Sequence, residues 1–124
     1  MNIAVIGAGA WGATLAQYLN NEGHNISLWE FSKTRINYLR KHRHPLFFPY
    51  INLDRKIFLT NNISLVIPKA KIILLTVPAQ TLRSILRELA KYTNKEQIFV
   101  IASKGIEIGS GKRLSEVAKE ELHT

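Results

Sequence analysis

Met1-Asn2-Ile3-Ala4-Val5-Ile6-Gly7-Ala8-Gly9-Ala10-Trp11-Gly12 opens the chain and decides its fold. Ile3 to Ile6 read as a fully buried strand, and the glycines follow at once in G-x-G-x-x-G spacing. Ala13-Thr14-Leu15-Ala16-Gln17-Tyr18-Leu19 continues with helical spacing, and Gly23 stops it. A second strand, Asn25-Ile26-Ser27-Leu28-Trp29, ends on Glu30, 18 positions after Gly12. A lone glycine pattern is weak; this one has a strand before it, a helix after it and an acid near the expected distance of about 20.

Each part of that pattern has a physical task in dinucleotide binding. Gly7 allows the tight turn, Gly9 lets the backbone approach a pyrophosphate, and Gly12 lets helix and strand pack closely. The helix beginning near Ala10 directs free N–H groups and its positive dipole end toward phosphates. Glu30 can accept hydrogen bonds from ribose hydroxyls and repels a 2′-phosphate, which favours NAD over NADP.

Outward from this segment the pattern alternates. Strands are expected at about 2–6, 25–30, 56–60, 72–77 and 97–102, with helices at about 10–21, 32–42, 64–70, from Pro78 onward, and 112–122. Ser32 is a plausible N-cap, with Ile36 and Leu39 on one helical face. Pro45 and Pro49 break regular structure between His44 and Pro49. Ile72-Ile73-Leu74-Leu75-Thr76-Val77 reads as a central parallel strand. Leu82, Ile85, Leu86 and Leu89 form a core stripe, as do Leu114, Val117, Ala118 and Leu122. The fold class is α/β: a Rossmann-type, doubly wound, mainly parallel sheet with helices on both faces. Its ligands bind where strand order reverses, at the carboxyl ends of the strands. Gly7 to Gly12, Glu30, Val77 to Gln80 and Ser103 to Glu107 all follow predicted strands, so they are expected to converge on one rim.

Bulk composition bounds the rest. One domain, 1–124, is the natural count. With 46% hydrophobic and 21% charged residues, a core is affordable. No apolar run approaches a membrane span, and the start lacks the pattern of a signal peptide. The absence of cysteine excludes disulfides and thiolate chemistry and fits a reducing cytoplasm. A net charge of +8 raises the question of nucleic acid. Apart from a cluster from Lys33 to Arg43 the basic residues are scattered, and Lys91, Lys95 and Lys119 sit near acids. Solvated faces and attraction for an anionic cofactor and substrate account for the excess, without a nucleic-acid or membrane partner. His42 and His44 form an H-x-H pair with no further ligand near in sequence, His24 reads as a turn residue and His123 is terminal, so no metal site is expected. Asp54 is the only aspartate and no nucleophile elbow is present, so no catalytic triad is expected.

The chain resembles the glycerol-3-phosphate dehydrogenases that reduce dihydroxyacetone phosphate. Ile6 to Gly12 is similar to their G-x-G-x-[WY]-G signature, and Leu28-Trp29-Glu30-Phe31 to their tryptophan-containing second strand. Pro45-Leu46-Phe47-Phe48-Pro49 resembles their N-x-x-Y-L-P segment, Val77-Pro78-Ala79-Gln80 their V-P turn, and Ser103-Lys104-Gly105-Ile106-Glu107 their [ST]-K-G-[IL]-E. His44 and Phe48 depart from the family's asparagine and leucine. Phe31 stands where many bacterial members carry a basic residue, which together with Glu30 resembles NAD use, NADP remaining possible.

The resemblance implies hydride transfer between a nicotinamide and glycerol 3-phosphate or dihydroxyacetone phosphate, at the junction of carbohydrate and glycerophospholipid metabolism. It implies a cytoplasmic enzyme, a homodimer at full length. Cofactor contacts fall on Gly7, Gly9, Ala10, Trp11, Gly12, Glu30, Phe31, Pro78, Thr81 and Lys104. Lys104 also contacts substrate, where its charge can polarise a carbonyl. Trp11 covers the pyrophosphate, walls the pocket, or packs helix against loop; Phe31 contacts adenine or only walls the pocket; Glu107 is a surface acid or a capping aid. The family's catalytic lysine lies in a helical C-terminal domain, so the chain reads as an N-terminal dinucleotide-binding domain, cut off before its substrate domain, with no catalytic residue and no turnover of its own. Two other readings stay open: a nucleotide-sensing module, and the first domain of another dehydrogenase such as a ketopantoate reductase.

Overall fold

The structure of the chain, a computed structural model, describes residues 1–122; His123 lies outside them. Five strands, β1 (Asn2–Ile6), β2 (Asn25–Trp29), β3 (Phe58–Thr60), β4 (Ile72–Leu75) and β5 (Ile98–Ile101), form one sheet. Their order is β3-β2-β1-β4-β5, and each neighbouring pair is parallel. Four helices connect or follow them: α1 (Ala10–Asn21), α2 (Lys33–His42), α3 (Ala79–Ala90) and α4 (Leu114–Leu122). Strand order reverses between β1 and β4, which opens a crevice at their carboxyl ends.

Alternation along β1 divides the core. Ala4 and Ile6 face one side with Ile73 and Leu75, under Leu82, Leu86 and Leu89 of α3 and Leu114 and Val117 of α4. Ile3 and Val5 face the other side, with Ala13 and Ala16 of α1 and Ile36 and Leu39 of α2. Helices therefore cover both faces, as the alternating pattern requires. Small residues on α1 bring it close to β1, and Gly12 is the extreme case: a methyl group there would overlap the Gly7 carbonyl oxygen. Gly7 itself turns at φ +116°, a conformation that favours glycine.

The boundaries differ from the sequence expectation in physically explicable ways. The expected helix over 64–70 shrinks to one 3₁₀ turn, Ile63–Leu65, because Pro68 cannot supply a helical N–H. The Asn62 side chain caps that turn by accepting from the Ser64 N–H. The third strand starts at Phe58, since the Asp54 carboxylate captures the Lys56 N–H in a turn. The fourth strand ends at Leu75, where the Thr76 hydroxyl reaches the carbonyls of Ile6 and Gly7. The fifth covers only Ile98–Ile101. Pro78 is the N-cap of α3 instead of its first residue. α2 keeps its expected cap, with Ser32 Oγ accepting from Arg35 N at 3.2 Å.

α4 starts at Leu114, and ion pairs tie it to α3. Arg83 reaches Glu121 at 2.6 Å and Glu120 at 3.3 Å, and Arg87 reaches Glu121 at 2.9 Å. Arg83 also forms a two-point fork with Glu107, at 2.8 and 2.9 Å. Lys112 pairs with Glu120. Of the lysines expected near acids, Lys91 pairs with Glu88.

Two outcomes follow for stability. Gly12→Ala lowers the unfolding free energy by about 3 kcal/mol, at the upper end of ordinary overpacking, because the blocking atom is backbone. Gly9→Ala, whose added carbon meets nothing within 4 Å, costs about 1 kcal/mol or less. Urea unfolding of both variants checks the contrast. The Arg83 guanidinium and the Ser110 hydroxyl hold the Glu107 carboxyl down to about 2, against 4.5 ordinarily, with Lys112 adding attraction. Arg87 and Arg83 lower Glu121, and Lys112 lowers Glu120. The unfolded chain takes up these protons first as pH falls. The stabilisation is thus complete above about 4.5 and lost as pH drops toward 2. Urea midpoints measured across that window fall with pH, and Arg83→Leu flattens the fall.

Candidate functional site

The glycine turn, the end of β2 and the β4–α3 connection enclose one cavity of about 610 Å³ at the strand-order reversal. Gly7, Gly9, Ala10, Trp11, Gly12, Glu30, Phe31, Pro78 and Thr81 all line it. Lys104 does not. It is exposed in the loop after β5, on the same rim, where a methyl group added at the neighbouring Gly105 would meet the Cβ of Ala79 at 3.9 Å. The expected convergence thus has two parts: a closed set around the cavity, and a flanking loop beside the start of α3.

The floor of the cavity suits an anion. Gly9 caps α1 with no side-chain bond, and its missing Cβ leaves open space. The first-turn N–H groups of α1 have no intrahelical partner, and the dipole adds partial positive charge there. A diphosphate can therefore approach main chain at Gly9 without displacing protein atoms.

Glu30 closes one end. It is buried, and its Oε2 accepts the Ser32 N–H at 2.6 Å. That bond fixes the carboxylate at the end of β2, and its second oxygen has no partner among the described protein groups. The arrangement is what a pair of ribose hydroxyls needs. Phe31 follows, 78% exposed as a residue, with its ring edge-on to Trp29 at 6.3 Å between ring centres. An exposed aromatic beside a buried one gives a flat face on which a base can stack. Trp11 is half exposed at the mouth of the cavity.

Several lining groups carried no signal in the sequence reading. Arg35, on the first turn of α2, lines the cavity together with Glu30 and Ser32. Thr76 joins the exit of β4 to the glycine turn through its hydroxyl, 2.8 Å from the Gly7 carbonyl oxygen. Ser84 and Ile85 continue the wall along α3, into an adjoining cavity of about 680 Å³ that also includes Trp29 and Phe31. Arg35, Ser84 and Ile85 come from helix faces whose spacing reads only as core or surface, and Thr76 from the end of a strand. Pro45 to Phe48, with Gly9 and Arg35, wall a smaller, mainly apolar cavity of about 230 Å³ that shares the glycine turn and Arg35 with this site. His42 stacks on Tyr38 at 4.2 Å between ring centres, and His44 meets Tyr38 edge-on. Glu107 is neither a free surface acid nor a helix cap, since Arg83 holds it.

Comparison with known proteins agrees with this geometry. Residues 2–124 match the family described as NAD-dependent glycerol-3-phosphate dehydrogenase N-terminus. A curated relative, glycerol-3-phosphate dehydrogenase [NAD(P)+] of Syntrophotalea carbinolica, is 37% identical over 123 residues. That alignment covers 98% of this chain but 37% of the relative, so the chain spans little more than a third of its length. Among solved structures, glycerol-3-phosphate dehydrogenase of Coxiella burnetii superposes with a TM-score of 0.89 at 22% identity, covering 99% of this chain and 38% of that one. The enzyme of Saccharomyces cerevisiae gives 0.81 at 24% identity, covering 99% and 39%. These two likenesses speak for the fold, and the sequence match speaks for the lineage. The chain belongs to the NAD-dependent glycerol-3-phosphate dehydrogenase N-terminus family.

Proposed function

We propose that this chain is the dinucleotide-holding part of a glycerol-3-phosphate dehydrogenase. The carrying observation is the single cavity that unites an open Gly9, an uncapped helix start and a fixed carboxylate at Glu30. Family membership supports the same reading.

The roles follow from placement. Main-chain N–H groups from Gly9 to Gly12 hold the diphosphate. Glu30 accepts from the adenosine ribose, and Phe31 offers its face to the adenine. Pro78 and Thr81, at the start of α3, bound the nicotinamide side. NAD(H) supplies the hydride donor or acceptor for the second carbon of glycerol 3-phosphate or dihydroxyacetone phosphate. Lys104, reaching from the neighbouring loop, stabilises negative charge on the substrate's oxygen by its ammonium. General acid–base chemistry is assigned to the part of the relatives' length that this chain does not span. The 124-residue chain then binds cofactor without turning substrate over. A cytoplasmic setting, a place between carbohydrate and glycerophospholipid metabolism, and a homodimeric full-length enzyme complete the proposal. The absence of cysteine fits the first, and the family resemblance supports the other two. No helix of the described residues is long and apolar enough to cross a membrane.

Glu30 and Arg35 together govern cofactor choice. The carboxylate disfavours a 2′-phosphate, while the guanidinium on the facing turn can offset part of that repulsion. NAD(H) is therefore the preferred ligand and NADP(H) a tolerated one. Of the other readings, a sensing module or a different dehydrogenase would use the same glycine turn, and no further observation favours either.

Calorimetric titration with NADH and NADPH side by side tests this. The native chain binds NADH more tightly. Glu30→Gln keeps an acceptor for the Ser32 N–H but removes the charge. It shifts the NADPH-to-NADH affinity ratio about tenfold toward NADPH, on the order of 1.4 kcal/mol. Equal ratios in the two proteins would remove Glu30 from the site.

A further inference from the structure

The loop from Ser103 to Gly111 is well placed but has no core of its own. Ile106 and Ile108 are 54% and 80% exposed, and no residue of this stretch is buried. Burial of apolar side chains, the usual source of loop order, is missing. Polar contacts from α3 stand in for it. Gln80 Nε2 donates to the Ile106 carbonyl oxygen at 2.9 Å, and Gln80 Oε1 accepts the Ile108 N–H at 2.8 Å. One amide thus satisfies the main chain on both sides of Glu107. Arg83, one turn further along α3, grips the Glu107 carboxylate at two points. Ser110 adds a hydroxyl bond to the same carboxylate at 2.6 Å. At the other end, the Ser103 hydroxyl donates to the Val77 carbonyl oxygen, at the exit of β4.

Lys104 lies between these two anchors, exposed and with no ion pair among the described residues. The helix that supplies the clamp also walls the cavity: Pro78, Thr81, Ser84 and Ile85 face the cavity, while Gln80 and Arg83 face the loop. The wall and the loop are therefore one mechanical unit.

Building on the cofactor reading above, we propose that Gln80 and the Arg83–Glu107 pair are positioning residues that set the Lys104 loop at a fixed height beside the nicotinamide end of the cavity. Their partners are 24 to 28 positions away in sequence, so they order the loop by tertiary contact. Bidentate geometry makes the clamp directional: a point charge such as lysine at position 83 cannot reproduce it.

The test compares NADH with ADP-ribose, which lacks the nicotinamide, on the native 124-residue chain, Gln80→Leu and Arg83→Lys. Amide hydrogen exchange at Ile106, Glu107 and Ile108 is measured on the same proteins without ligand. The expected result is a five- to tenfold loss of NADH affinity in each variant, ADP-ribose affinity within twofold of native, and exchange at least tenfold faster at the loop amides, confined to the loop in Gln80→Leu and extending to α4 in Arg83→Lys. A variant that weakens both ligands equally, or neither, overturns the positioning role, as does unchanged exchange at those amides. If the native chain binds neither ligand, the cofactor reading itself fails, and loop exchange then decides separately whether the clamp exists.

Discussion

Everything at the rim depends on how closely two pieces of backbone meet. Gly12 of α1 lies so near the Gly7 carbonyl that no side chain fits between them. Thr76, at the exit of β4, donates its hydroxyl into the same junction. Three elements from distant parts of the chain are thereby fixed at one point: the end of β1, the start of α1 and the end of β4. The cavity is the space left above that point. Loosening it would separate the glycine turn from the α3 wall, however well the two hydrophobic layers were packed.

From this junction the two walls acquire different physics. The β2 side is built from a fixed charge and an aromatic face: Glu30 is tied to Ser32 N–H, and Phe31 is left open to solvent. The α3 side is uncharged where it faces the cavity, with Thr81, Ser84 and Ile85, and carries the Gln80 amide and the Arg83 cation where it faces away. Arg83 is drawn toward three carboxylates, which raise its proton affinity and lower theirs. These pairs are partly shielded from water, so they count for more than exposed pairs on an open helix. Position on α3, and not residue type alone, decides whether a side chain shapes the pocket or braces the loop.

Much of this was legible in sequence because its signals are local. The strand-glycine-helix series, the acid closing β2 and the Ser32 cap all occupy contiguous residues with characteristic spacing. The central strand announced itself by composition. What could not be read depends on contacts between distant residues. Gln80 looked like part of a turn, and only the fold brings its amide to Ile106 and Ile108. Arg35 sits on a helix whose apolar face, Ile36 and Leu39, gives no hint of what the adjacent turn overlooks. The expected helix over 64–70 shrinks to one turn for a local reason, Pro68, which cannot supply a helical N–H. Lys104 follows β5 at the end of the sheet that the strand pattern predicts, while its separation from the cavity lining required coordinates.

The central claim is that the glycine turn receives a diphosphate while Glu30 receives the sugar. Amide chemical-shift mapping during titration with NADH tests it most directly. The account predicts that the largest changes fall on Gly9 to Gly12 and on Phe31 and Ser32, with smaller ones at Thr81. Changes concentrated instead at the opposite ends of the strands, around Asn2, Asn25 and Lys69, where a separate cavity of about 470 Å³ lies, would contradict it.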